Sequence, residues 1–526
     1  MPGTPSRPHR RPLTSPCDPA PSVAVAAPND SAAEAGARTA AAGGNAIDAA
    51  LAAALVTMVN EVGIVSLSSG AFVTVLPPDG TSPQTVDGWV EMPGRTLGPD
   101  RIGGGTWDVT TAYGGGVTTA VGPGSVGSHG SLAAFGAVHA RWGKVPWAEV
   151  VAPARETAVG GFALSSASRH YLEYAHRDIF GWDPVSRAVL HDDAGQLRGP
   201  DHLIVVPGLA DSLEAIARNG AQEMYDGELG AAIADAVGAG GGLLTRADLA
   251  AYAPVTRPSL AVQVRDWELA TSPPPSIGGV CIAAILRLLG DRPCGAWSEA
   301  DTALLVRVQH AVLRHRVDEL DAATDVAAAA QAFLDEVDAA APFESGSTAH
   351  VSAVDVDGAA CSVTVSSGYS SGMVAPGTGI WLNNCLGEPE LNRHGLHAHP
   401  PGTRLLSNMA PTVGRTGDGR VLAAGSPGAD RISTALAQVL AGFVGGTPLA
   451  DAIDHPRLHV RVARSAAETD LVQYEEGLVL PETGIASLAM PARTMYFGGV
   501  SAALFEPVAG LSGAADPRRG GAVRVR

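Results

Sequence analysis

Apolar and polar positions follow two rhythms along the chain. "GGNAIDAALAAALVTMVNE", from Gly43, repeats its apolar residues at helical spacing after paired glycines, and "GAFVTVLPP", from Gly70, follows with strand character. "SHGSLAAFGAVHARWG" and "GGVCIAAILRLLG" predict further helices, the second announced by the loop "SPPPSIGG". Residues from about 30 to 322 therefore read as mostly helical, with Gly/Pro turns between elements.

The rhythm changes past the low-complexity acidic stretch "ATDVAAAAQAFLDEVDAAAPFESGS", which predicts a mobile helix ending in a loop. "TAHVSAVDVDG" and "AACSVTVSSG" alternate apolar and polar residues across a D-x-D-G turn, the signature of a hairpin. "GRVLAAGSPG" predicts a strand leading into the helix "RISTALAQVLAGFV", and short strands, "SAALFEPV" and "GAVRVR", close the chain. At the other end, residues 1–29 are proline-rich with no apolar run behind their basic residues, so a disordered tail without an export signal is expected.

Composition narrows the function classes. Hydrophobic residues make up 46% and charged residues 17%, with 64 glycines, which suits a tightly packed globular protein. Acidic residues outnumber basic ones by 53 to 35, a net charge of −18 that repels nucleic acid and anionic membrane surfaces. The longest apolar segment, "AIDAALAAALVTMV", falls short of the roughly 20 residues that span a bilayer and carries Asp48. The five cysteines, Cys17, Cys281, Cys294, Cys361 and Cys385, are odd in number and lack C-x-x-C spacing, which argues against a disulfide framework or zinc site and for a reducing cytoplasm.

The candidate chemistry centres on Thr348. A small-residue loop, Gly346 and Ser347, precedes this threonine where it opens the hairpin; the loop reads either as a plain turn or as a place where the chain is cut to leave a threonine with a free α-amine. Two other motifs are set aside. "GPGSVG" at Gly122 has the form of a dinucleotide fingerprint, but a proline interrupts it and no strand-to-helix context with a following acid appears, so a tight turn is expected. His394, His397 and His399 lack accompanying carboxylates or cysteines at ligand spacing, so a solvated loop is expected and no metal or cofactor is assigned.

Eleven landmarks in order, among them "GGNAIDAALAAAL", "VGPGSVGS", "LTRADLAAY", "STAHVSAVDVDGAACSVT", "PGTGIWLNN", "LLSNMAPT", "GSPGADRI", "DHPRLHV" and "FGGVSAALFEPVAGLSGAADPRRGG", make the chain resemble the γ-glutamyltranspeptidase family of N-terminal-nucleophile hydrolases. The resemblance covers almost everything after residue 30. It implies an α+β fold, a four-layer αββα sandwich, made as a precursor that cuts itself between Ser347 and Thr348. The large subunit is then 30–347 with its tail and the small subunit 348–526, both parts of one structural domain. Thr348 is the implied nucleophile, its freed amine the base, Ser366 the hydroxyl that holds it with Thr364 nearby, and the backbone amides of Gly428 and Ala429 the oxyanion hole. His350 is left open between a catalytic and a structural role.

The pocket departs from the family. Val90 stands where a carboxylate-binding arginine is expected, unless Arg95 swings in; Gly368 replaces an asparagine and Cys385 a polar residue, and Glu388 matches only loosely the acid that holds an α-amino group. A glycine-rich run becomes "VSLSSGAF", while Ser407 and Asn408 replace a Ser-Ser pair and keep polar donors. The short loop "CLGEPELNRHGLHAHPPGTRLL" suggests an open pocket for a bulkier small-molecule substrate.

The resulting expectation is a hydrolase of a non-glutamyl biosynthetic intermediate. The branch serving alkylproline, lincosamide and pyrrolobenzodiazepine assembly implies C–C bond hydrolysis next to an α-keto acid, with oxalate release. A γ-glutamyl or other acylamide hydrolase or acyltransferase is the second reading, and a non-catalytic scaffold the third.

Overall fold

The computed structural model describes residues 22–98, 103–112, 116–290, 297–321, 323–337, 348–389, 391–392, 394–428, 430–465, 468–490 and 492–526. Two antiparallel sheets organise them. The seven-stranded sheet runs Ala522–Val525, Val23–Ala27, Ala349–Asp355, Ala360–Ser366, Gly70–Leu76, Gln84–Gly88, Val255–Pro258. The six-stranded sheet runs Gly510–Ala515, Ser501–Glu506, Val421–Gly425, Thr412–Thr416, Trp267–Thr271, Leu260–Val264.

The sheets face each other across small side chains. Ala24, Val354 and Ala360 from one and Ala270, Val413, Ala423 and Ala503 from the other form a thin apolar seam. Alanine suits this seam because larger residues would force the sheets beyond their usual spacing of about 10 Å. Both faces of the central strands are buried, so every residue of Ala349–Asp355 and Ala360–Ser366 is inaccessible.

Helices cover the outer faces. Ala46–Asn60 and its neighbours share one core with the seven-stranded sheet, and Ile277–Leu289 and Arg431–Val444 share another with the six-stranded sheet. Ala46–Asn60 is buried all round, as its uniformly apolar sequence demands. Its one charge, Asp48, completes a capping box with Asn45 and also accepts from the amide of Lys144 at 2.9 Å, so its Oδ2 is spent on backbone donors. Among the described residues no helix is long and apolar enough to cross a membrane.

The predicted tail needs correction. Residues 1–21 lie outside the described residues, but Val23–Ala27 is a buried strand between Ala522–Val525 and Ala349–Asp355, and Asn29 caps the next helix. The alanine-rich "VAVAA" carries little β signal by itself, and neighbouring strands supply what composition does not. The acidic stretch forms the helix Val326–Glu336; residues 338–347, the predicted loop before Thr348, lie outside the described residues.

Candidate functional site

Thr348 immediately precedes the strand Ala349–Asp355. Strand register pairs Val365 with Ala349, which carries Ser366 to the position opposite Thr348, and Ser366 also pairs with Gly70 on its other side. Thr348 is 1% exposed, and its Oγ1 has no hydrogen-bond partner, so the expected hold by the Ser366 hydroxyl is not made in the uncut chain. A buried hydroxyl without a partner is costly, and native proteins keep few of them.

Thr348 opens onto a crevice lined by Trp89, Ser366, Glu388, Leu391, Ser407, Asn408, Met409 and Ile432. Its volume is about 10 Å³, room for one water. The expectation of an open pocket is therefore corrected: the loop that was to leave it open supplies Glu388 and Leu391, which close it. Asn392 Nδ2 folds this segment back by donating to Cys385 O at 2.7 Å. A cavity of about 650 Å³ lined by His139, Trp147, Arg218 and Gln222 is far roomier but does not include Thr348.

The structure brings Thr348, Ser366, Glu388, Ser407 and Asn408 together and leaves Val90, Gly368 and Cys385 behind them. Val90 is fully buried in an apolar cluster with Phe72, Cys385, Leu386 and Met409. Cys385 is likewise buried; burial first, and the Glu388 carboxylate second, hold its thiol well above the usual range, so it is no thiolate. Gly368 has φ +67°, and a Cβ there would stand 2.4 Å from Asn384 Oδ1 and 3.1 Å from Glu388 Oε1. Glycine at 368 thus lets Asn384 and Glu388 crowd the turn after Ser366.

The nearby cations are committed elsewhere. Arg95 binds Glu91 at 2.6 Å, and Arg404 pairs with Glu91 at 3.1 Å and Asp87 at 3.4 Å while lying over the Tyr252 ring. Burial raises the Glu91 pKa against the pull of both arginines. Arg95 therefore does not replace the missing arginine, and among the described residues the crevice lining holds no cation and one carboxylate, Glu388.

Gly428 lies in the turn between Val421–Gly425 and the helix Arg431–Val444, whose second residue, Ile432, lines the crevice. Its φ of +124° and a would-be Cβ contact of 2.6 Å to Gly498 Cα require glycine. Ala429 and Ser347 lie outside the described residues. Asp430 steadies the turn: burial pushes its carboxyl up, but Arg431 and His459, the latter 3.6 Å away, hold it below the usual carboxylate range.

His350 has a structural place. Its Nδ1 meets Thr364 Oγ1 and its Nε2 meets Ser352 Oγ, both at 2.8 Å. Ser352 Oγ donates to Ser501 O at 3.1 Å, so the imidazole donates from Nε2 and accepts at Nδ1. Burial lowers its pKa to about 3, and Gly425 leaves room for the ring.

Pattern reading missed several residues. The serines of "VSLSSGAF" brace the turn after Ser366: Ser69 Oγ lies 2.8 Å and Ser66 Oγ 3.1 Å from Ser367 Oγ. Trp89, Leu391, Met409 and Ile432 carry no chemical signature and reach the crevice only through the fold. "GPGSVG" forms a single 3₁₀ turn, and His397 Nε2 lies 2.7 Å from Gly124 O. Among the described residues no three His, Cys, Asp or Glu side chains could hold a metal.

Two face-to-face sheets with a threonine at the mouth of the central hairpin define a hydrolase fold of the N-terminal-nucleophile kind. The Gamma-glutamyltranspeptidase family model matches residues 32–525, and the chain belongs to that family. The glutathione hydrolase proenzyme of Escherichia coli (strain K12) is 29% identical over 519 residues, 90% of this chain and 87% of the relative. The acylase ACY 1 proenzyme of Pseudomonas sp. (strain V22) is 28% identical over 93% of this chain and 91% of the relative. The solved structure of LmbA2991HD shares the fold at 20% identity and a TM-score of 0.75, covering 98% of this chain and 100% of that one.

Proposed function

We propose that this protein is a self-processing threonine hydrolase of a non-glutamyl biosynthetic intermediate, built as a four-layer αββα sandwich and working in the cytoplasm. The observation that carries the reading is the crevice itself: a buried, unpartnered Thr348 Oγ1 with no cation beside it among the described residues. A γ-glutamyl carboxylate buried there without a partner would lose several kcal/mol.

In the precursor, Thr348 Oγ1 attacks the Ser347 carbonyl, the Ser347–Thr348 C–N bond breaks, and water opens the resulting ester. The freed α-amine, with an ordinary pKa of about 7.7–8.0, then takes the Oγ1 proton as the hydroxyl attacks substrate. Backbone amides at Gly428 and Ala429 receive the oxyanion, a contribution of about 3–4 kcal/mol for each donor. Ser366, opposite Thr348, orients the nucleophile, and water releases the acyl group.

In its sharp form the bond broken is C–C, next to an α-keto acid, with oxalate leaving, as in alkylproline-type specialised metabolism. The Ser407 hydroxyl, left to donate, supports it. The second reading, acylamide hydrolysis or acyl transfer, is favoured by the extended similarity to a relative named as an acylase. Incubation of the mature protein with a pyrroline-linked α-keto acid, an acyl anilide and a γ-glutamyl anilide separates them. Oxalate release is expected; turnover of the acyl anilide, or robust turnover of the γ-glutamyl anilide, overturns it and selects the second reading, a γ-glutamyl or other acylamide hydrolase or acyltransferase.

A further inference from the structure

Asn408 brings an unanswered polar atom to the crevice. It is 4% exposed, and its Oδ1 is buried without a hydrogen-bond partner. Its backbone cannot move to relieve this. Ser407 O accepts from Ile277 N at 2.7 Å, Ser407 N donates to Pro275 O at 3.1 Å, and Ser276 Oγ donates to Met409 O at 2.6 Å. Gly278 packs so closely that a Cβ there would lie 1.9 Å from Asn408 O. The "SPPPSIGG" loop thus clamps the main chain on both sides of Asn408.

The neighbouring hydroxyl differs in kind. Ser407 Oγ already accepts from Met409 N at 3.2 Å, which leaves its O–H to donate. Side by side, the crevice presents a hydrogen-bond donor at Ser407 and an unanswered acceptor at Asn408, next to the Glu388 carboxylate. A carboxylate, which only accepts, would meet repulsion at Oδ1. A group carrying an N–H would complete it.

We propose that Asn408 is a specificity-determining residue whose Oδ1 accepts a hydrogen bond from an N–H beside the scissile carbonyl of the substrate. The proposal rests on Thr348 being the nucleophile and on the acylamide reading. It deepens that reading by naming the recognised group, a nitrogen bearing hydrogen in the acyl half; the oxalyl half of the C–C reading carries a carboxylate and no nitrogen.

The test uses the β-lactone of N-acetylserine, its N-methyl twin, and a lactone with a carboxylate in place of the acetamido group. Thr348 Oγ1 bonds to the lactone carbonyl, the ring C–O bond breaks, and the hydroxyl proton passes through the α-amine to the released ring oxygen. The adduct therefore adds the whole lactone mass, read on the fragment beginning at Thr348. Expected is labelling about tenfold or more faster with the N–H lactone than with its N-methyl twin. That ratio should persist in Asn408→Asp, which keeps an acceptor, and fall to near one in Asn408→Leu, or in Asn408→Ala if the leucine variant does not fold. Equal labelling of the wild-type protein by both twins, or fastest labelling by the carboxylate lactone, overturns the role of Asn408 and leaves the nucleophile in place. Labelling by no lactone overturns the nucleophile reading itself, and this proposal with it.

Discussion

Two buried polar clusters of this molecule invite comparison. Near the C-terminus, Arg457, Glu475, Asp516 and Arg518 are 0–2% exposed in their side chains, yet densely paired: Arg457 binds Asp516 at 2.7 Å, and Arg518 binds Glu475 at 2.5 Å and Asp516 at 3.2 Å. Carbonyls of Ile453, His455 and Phe497 take further guanidinium protons. The Thr348 crevice is as deeply buried, but leaves Thr348 Oγ1 and Asn408 Oδ1 unanswered. Burying polar groups costs free energy in both places; one recovers most of it within the fold, with only Arg457 Nε of its described atoms unanswered, and the other leaves it for a reacting molecule to recover.

The widest separation of the two comes from Thr348→Ala. It should leave one uncut chain and abolish turnover, a loss on the order of 10⁴-fold or more, with folding intact; intact mass and activity assays read both. Glu475→Gln should do the reverse. Stranding charge in the paired cluster costs about 3–5 kcal/mol, seen as a lower urea midpoint, while the folded fraction keeps its turnover per molecule.

Acid sharpens the contrast through histidines rather than carboxylates. Burial lowers His350 to about 3 and His129 to about 4, so between those values and the unfolded value of about 6.5 only the unfolded chain binds these protons. Stability should therefore be complete above about pH 6.5 and fall by up to about 1.4 kcal/mol per pH unit per histidine below it. Urea midpoints at several pH values check this, and His350→Gln should flatten the slope. Ser366→Ala should have a smaller effect, about tenfold in kcat, restored by Ser366→Thr. The smallest belongs to the surface, where Arg38→Ala, breaking an exposed pair with Glu156 at 2.7 Å, should cost under about 1 kcal/mol in the same urea titration.

Which parts were legible in the sequence follows from the range of the forces involved. The hairpin at Thr348 and the long helices were readable because alternation and helical period are local. The strand Val23–Ala27 was not, because a proline-rich prefix masked five small residues whose β state is imposed by two distant strands. Thr348, Ser407 and Asn408 were visible as motif positions, but the closure of their crevice was not. Leu391 and Trp89 are ordinary apolar residues until the chain brings them opposite the threonine. Even "DHPRLHV" and "DPRRGG", which marked the family, owe part of their place to the paired cluster and to His459 beneath the Gly428 turn.

The strand order of the large sheet has a consequence for the mature molecule. Val23–Ala27, upstream of Thr348, is inserted between Ala522–Val525 and Ala349–Asp355, both from Thr348 onward, and Ala360–Ser366 pairs in turn with Gly70–Leu76 from the upstream part. A cut before Thr348 would yield two polypeptides woven like interlaced fingers. They should not come apart on dilution as an ordinary heterodimer does, because separation requires tearing the sheet, and once apart neither would retain a complete template for finding the other again.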